Sequence, residues 1–123
     1  MAVPTTQQVL IGIGLTPACE NFDMIVKFFD TFVSYKLGKY RNKKMMTKTV
    51  YEDVCKDFDC KYEWVEIVVR QTMKKAYKKT HFKYLFAYFN LELETGFKPT
   101  TTELANLLTL IEKDRRREEK ASI

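Results

Sequence analysis

Residues 47–79, TKTVYEDVCKDFDCKYEWVEIVVRQTMKKAYKK, decide how this chain is read. Val50, Val54 and Phe58 recur at i, i+4 and i+8, with Tyr51 and Cys55 beside them and Thr47 or Thr49 placed to cap, so the spacing predicts a helix ending near Asp59. Asp59, Cys60 and Lys61 make a turn. Residues 62–79 then carry a second apolar arc of Val65, Val68, Val69, Thr72, Met73 and Ala76. Two helices joined by so tight a turn are the pattern of a helix-turn-helix.

The outer face of the second helix carries the functional reading. At about 100° per residue, Arg70, Lys74 and Lys78 fall along one line opposite the valines, flanked by Gln71, Lys75 and Glu66. In a helix-turn-helix the second helix enters the major groove, where Arg grips guanine, Gln grips adenine, Glu accepts from cytosine and an apolar side chain meets the thymine methyl. Glu66, Ile67, Arg70 and Gln71 are therefore the base-reading candidates. Lys74, Lys75 and Lys78 suit phosphates, where a point charge releases counterions without carrying sequence information. Arg41, Lys43 and Lys44, with Lys39, are placed to do the same from a basic loop on the flank. A basic helix face is often only a solvated surface. Here nothing acidic lies between Arg70 and Leu91, so repulsion along the helix goes uncompensated and favours an anionic partner.

Outward from this motif the punctuation is sparse. Glycine stands only at 12, 14, 38 and 96 and proline only at 4, 17 and 99, which favours long helices. Residues 5–14 read as a short helix, although a buried strand also fits. From Glu20 to Leu37, Phe22, Ile25, Val26, Phe29, Phe32, Val33 and Leu37 form one stripe, with Gly38 as the stop. Residues 82–93, apolar on nearly every side, suit a short buried helix, while their alternation also allows a strand of a wing. Gly96 and Pro99 interrupt the chain. Thr101 or Thr102 then starts a last helix with Leu104, Leu107, Leu108 and Ile111 inward, and the charged tail at 112–123 is expected to fray. The fold class is all-α, with about six helices around the helix-turn-helix.

With 123 residues, 46% hydrophobic and 30% charged, the chain suits one domain spanning 1–123. Its net charge of +5 is unevenly spread: residues 1–37 carry −1, residues 38–83 carry +7 and residues 84–123 carry −1. Such asymmetry suits one face to a polyanion and leaves others for packing or protein contact. Cys19, Cys55 and Cys60 cannot all pair with one another and no secretory signal precedes them, so free thiols and a cytoplasmic location are expected. The longest apolar run, Val9 to Leu15, is too short for a bilayer, so no membrane role is expected.

Five segments in order resemble the C-terminal effector domain of the sporulation response regulator, the stage zero sporulation protein A family. They are IGLTPACENFDMIVKFFDTF, TKTVYEDVCKDF, VEIVVRQTMKKAY, LFAYFNLE and KPTTTELANLL, and they cover nearly the whole chain. The resemblance implies a six-helix domain that binds duplex DNA in the major groove, recruits or excludes RNA polymerase and can sit as a tandem pair on repeated sites. By position, Glu66 and Arg70 match groups of the family's recognition helix. Trp64 and Ile67 stand where the family usually shows arginines, which implies an altered target or weaker specificity. The family's receiver domain has no counterpart in this stretch, which is expected to be either an excised fragment or a free-standing relative, with phosphorylation control absent from these residues.

Two other function classes compete. An enzyme is not expected, because His81 is the only histidine and has no acid or cysteine at a catalytic spacing. With one His and no C-x-x-C, neither a zinc site nor another cofactor is expected. A protein-interaction module that keeps the fold and pairs with the full-length regulator or RNA polymerase is the alternative. Trp64 and Ile67, apolar on a face that meets water, are the residues that favour it.

Overall fold

Phe28, Phe29 and Phe32 lie fully buried on one helix, and the rest of the chain packs around them. The computed structural model describes residues 2–90 and 98–121, among which every regular element is an α-helix. These are α1 (Thr6–Gly12), α2 (Phe22–Leu37), α3 (Thr47–Asp57), α4 (Tyr62–Thr80), α5 (Lys83–Tyr88) and α6 (Thr101–Ala121). Helix α2 touches α1, α3, α4 and α6, which makes it the post of the fold. Its buried stripe is Met24, Ile25, Phe28, Phe29, Phe32 and Val33. The stripe is rotated from the expected one, leaving Phe22, Val26 and Leu37 only half-buried, because partners pack on more than one side of α2.

Local chemistry sets the helix ends. Thr5 accepts from the Gln8 backbone N–H at 3.2 Å, and its own N–H donates to Gln8 Oε1 at 2.9 Å, a reciprocal capping box that starts α1. Thr100 and Glu103 repeat that box at the start of α6, so the cap precedes Thr101 and Thr102, the two residues expected to begin the helix. Neither Thr47 nor Thr49 caps α3: Met46 holds the cap position without a side-chain bond, and the Thr47 hydroxyl instead pairs with that of Thr102 at 2.9 Å. Tertiary contact between helix starts has displaced local capping there. Phe58 is not part of the buried stripe, because it caps the C-terminus of α3 and points outward, 36% exposed.

The charged tail does not fray among the described residues; α6 continues to Ala121. Arg115 Nε donates to Glu112 at 2.8 Å, Arg115 also pairs with Glu119, and Arg117 pairs with Asp114. Tyr88 donates to Asp114 at 2.9 Å and the Val3 N–H donates to Glu118 at 3.2 Å, which ties the tail to the body. The Arg115 hydrogen bonds hold the buried Glu112 carboxyl below the ordinary carboxylate range. Helix α5 occupies the first half of the apolar stretch expected at 82–93; the rest of that stretch after Asn90, with the Gly96 stop, lies outside the described residues.

Gly14 fixes how α1 meets α4. Its φ is +116°, and an added Cβ would lie 3.2 Å from Ala76 Cβ and 3.3 Å from Ala76 Cα. Beside it the Thr80 hydroxyl donates to the Ile13 carbonyl at 2.7 Å. Gly14→Ala should therefore destabilise the fold by about 1–3 kcal/mol through backbone strain. The loss reads out as a melting temperature lower by roughly 5 °C or more.

Candidate nucleic-acid interface

Helices α3 and α4 are set by a junction with α2. Tyr51 on α3 stacks on Phe28 with ring centroids 4.7 Å apart and planes 12° from parallel. Burial, with the Glu66 carboxylate nearby, pushes its phenol up to about 12. Tyr35 on α2 donates to Asp53 on α3 at 2.6 Å, and Lys27 approaches Asp57 at 3.7 Å. Between α3 and α4 the chain turns through Asp59 at φ 50°, and the Cys60 N–H donates back to the Cys55 carbonyl at 3.3 Å. The Phe58 N–H donates to the same carbonyl at 3.2 Å, and a short connection held by two hydrogen bonds restricts the angle of the second helix to the first.

Val65, Val68, Val69, Met73 and Ala76 face the core from α4. Arg70, Gln71, Lys74, Lys75 and Lys78 are all exposed. Glu66 and Ile67 are half-buried on the edges of that outward face, and Trp64, on the first turn of α4, is 50% exposed. The base-reading and lysine candidates on α4 thus come together on one helix surface. Among the described residues no ion pair forms at Lys74, Lys75 or Lys78.

Arg70 departs from expectation. Its guanidinium lies 3.8 Å from Glu66, with the two side chains 63% and 44% exposed, so the face is not free of neutralising carboxylates at that position. The cause is the i,i+4 spacing itself, which stacks the two side chains one turn apart. At such exposure the pair contributes only a few tenths of a kcal/mol, too little to hold Arg70 away from a stronger acceptor. Arg70 also lines a depression of about 430 Å³ with Thr47, Tyr62, Thr100 and Thr101, where the starts of α3, α4 and α6 converge. The pattern within α4 could not disclose that neighbour, because the contact joins residues some thirty positions apart.

Arg41, Lys43 and Lys44 are exposed on the loop between α2 and α3. Arg41 and Lys43 line a separate trough with α6 from Asn106 to Lys120 rather than the depressions that Arg70 lines. Lys39 lies over the rings of Tyr35 and Tyr40 at 5.6 and 5.5 Å, which anchors the loop to the end of α2.

His81 ends α4 in the left-handed conformation, exposed, its ring edge-on to Tyr77. Cys19, Cys55 and Cys60 are free and half-buried. Among the described residues no three His, Cys, Asp or Glu side chains gather as metal donors, and no helix is long and apolar enough to cross a membrane.

Residues 7–111 match the family model described as Sporulation initiation factor Spo0A C terminal. No curated protein and no solved structure matches the chain.

Proposed function

Because the chain belongs to the Spo0A C-terminal family of DNA-binding transcription regulators, we propose that it binds duplex DNA with sequence selectivity through the exposed face of α4. The supporting observation is the segregation of that helix: valines inward, and Arg70, Lys74 and Lys78 outward, with no carboxylate on the two lysines among the described residues. In this reading Arg70 and Gln71 meet guanine and adenine edges, Glu66 accepts from cytosine, and Ile67 packs on a thymine methyl. Lys74, Lys75 and Lys78 take phosphates. Trp64 and Ile67, standing where relatives of this kind usually carry arginine, shift the preferred site away from the family's usual box. Contact with RNA polymerase and tandem pairing on repeated sites complete the proposal; family membership is their support.

A salt titration tests it. Log affinity for duplex should fall linearly with log salt, and Lys78→Ala should weaken every sequence alike while lowering the slope by about 0.9, one phosphate contact. Trp64, half exposed on the same helix, favours a second reading in which this face meets protein. Absence of duplex binding at low salt would leave only that second reading.

A further inference from the structure

The mixed sequence EKDRRREEK at residues 112–120 hides a sorted helix. Lys113, Arg116, Arg117 and Lys120 stand at i, i+3, i+4 and i+7 and line one side of a trough of about 710 Å³, with Arg41 and Lys43 of the α2–α3 loop on the other. The acids have partners outside the trough: Glu112 and Glu119 bind Arg115, Asp114 takes the Tyr88 hydroxyl and Glu118 takes the Val3 N–H, although Glu112 and Asp114 also reach one lining arginine each. Of the seven lining cations, which include Lys36 on the last turn of α2, Arg116 reaches Glu112 at 3.3 Å and Arg117 reaches Asp114 at 3.7 Å. Arg41, Lys43, Lys113 and Lys120 form no ion pair among the described residues.

We propose that this trough is a second, sequence-independent seat for the phosphate backbone of duplex DNA, outside the base pairs that α4 reads. Three observations carry it. First, cations dominate the lining, seven Lys and Arg side chains with no carboxylate among them, against the apolar Leu37, Tyr40 and Leu110. Protein-binding patches are depleted of charge at their centre, whereas DNA-binding surfaces are strongly positive. Second, the lining runs from Asn106 to Lys120 along α6. At 1.5 Å per residue that is roughly 21 Å, the axial length of about six base pairs, which exceeds what a single phosphate needs. Third, Arg70 shares its depressions with Thr100 and Thr101 at the start of α6. Arg116 lies about 22 Å farther along the same helix, so the two surfaces meet different stretches of backbone. The proposal rests on the DNA-binding reading of the family and not on the base contacts assigned to α4.

The test uses the whole chain carrying Arg41→Gln, Lys113→Gln and Lys120→Gln, three exposed side chains whose removal leaves the core intact. Affinity for a random-sequence duplex of about 40 base pairs is measured against salt by fluorescence anisotropy, with helix content checked by circular dichroism. The expected result is a log-log slope shallower by about 2.7, three phosphate contacts, with helix content and base preference unchanged. An unchanged slope overturns the proposal. So does a triple variant that binds duplex normally but has lost binding to polyglutamate, since the trough would then serve an acidic protein. A parallel Arg70→Ala variant separates the two surfaces: if it leaves base preference intact while the triple variant still flattens the slope, the reading of α4 fails and the trough stands.

Discussion

Arg70→Ala is expected to flatten the choice among DNA sequences without abolishing binding. A bidentate contact from arginine to guanine discriminates by about 1–3 kcal/mol against the wrong base. Removing it should therefore lower selectivity at one position by about 5- to 150-fold. Arg70 is suited to that role by where it stands and by how weakly it is held. It is exposed, one turn from Lys74, and its contact with Glu66 at 3.8 Å orients the guanidinium without immobilising it. Affinity for random duplex should fall far less, because the lysines that supply the non-specific attraction remain. Sequences recovered from a random duplex library by the wild type and by the variant make the comparison. Identical preferences in the two pools would remove Arg70 from the base-reading set.

Phe28→Ala carries the largest expected effect on stability. The ring is fully buried, stacks on Tyr51 at 4.7 Å and meets Phe29 edge-on at 4.9 Å, so its removal opens a cavity where α2 holds α3. Truncating a buried phenylalanine costs about 3–5 kcal/mol, against a total of about 5–15 kcal/mol for an ordinary domain. The urea midpoint should collapse, and duplex binding should be lost with it, since α4 is positioned through α3. Trp64→Ala makes the contrast. That ring is half exposed, so its loss should change stability by no more than about 0.5 kcal/mol. A Phe28 variant losing less than about 1 kcal/mol would mean that the junction of α2 and α3 is not where the motif is anchored.

The elements follow from periodicity wherever one face of a helix packs. Val65, Val69, Met73 and Ala76 recur at three and four, and the structure buries all of them. The pattern gave a less accurate picture of α2, because several partners surround it and residues such as Met24 and Phe28 are buried on flanks that a single stripe leaves out. Caps were misplaced for a related reason: Thr47 satisfies a hydroxyl on α6 instead of its own helix end. The tail at 112–120 looked ready to fray, since a string of alternating charges has no apolar stripe. What holds it are bonds to Tyr88 and Val3, residues far away in the chain.

Membership of the family was legible from the order of five segments, and residues 7–111 match its model. The candidate residues on α4 were legible because one helix carries them all. The trough beside α6 was not, because Arg41 and Lys113 lie about seventy positions apart and only folding brings them to one surface.

The outward face of α4 can be questioned directly by titrating a short duplex of the selected sequence into isotopically labelled protein and following amide and side-chain chemical shifts. The largest changes are expected at Glu66, Ile67, Arg70, Gln71, Lys74 and Lys78, with the buried valines of the same helix nearly still. Saturating shifts confined to other helices, with those six residues silent, would contradict the assignment of α4 as the element that reads DNA.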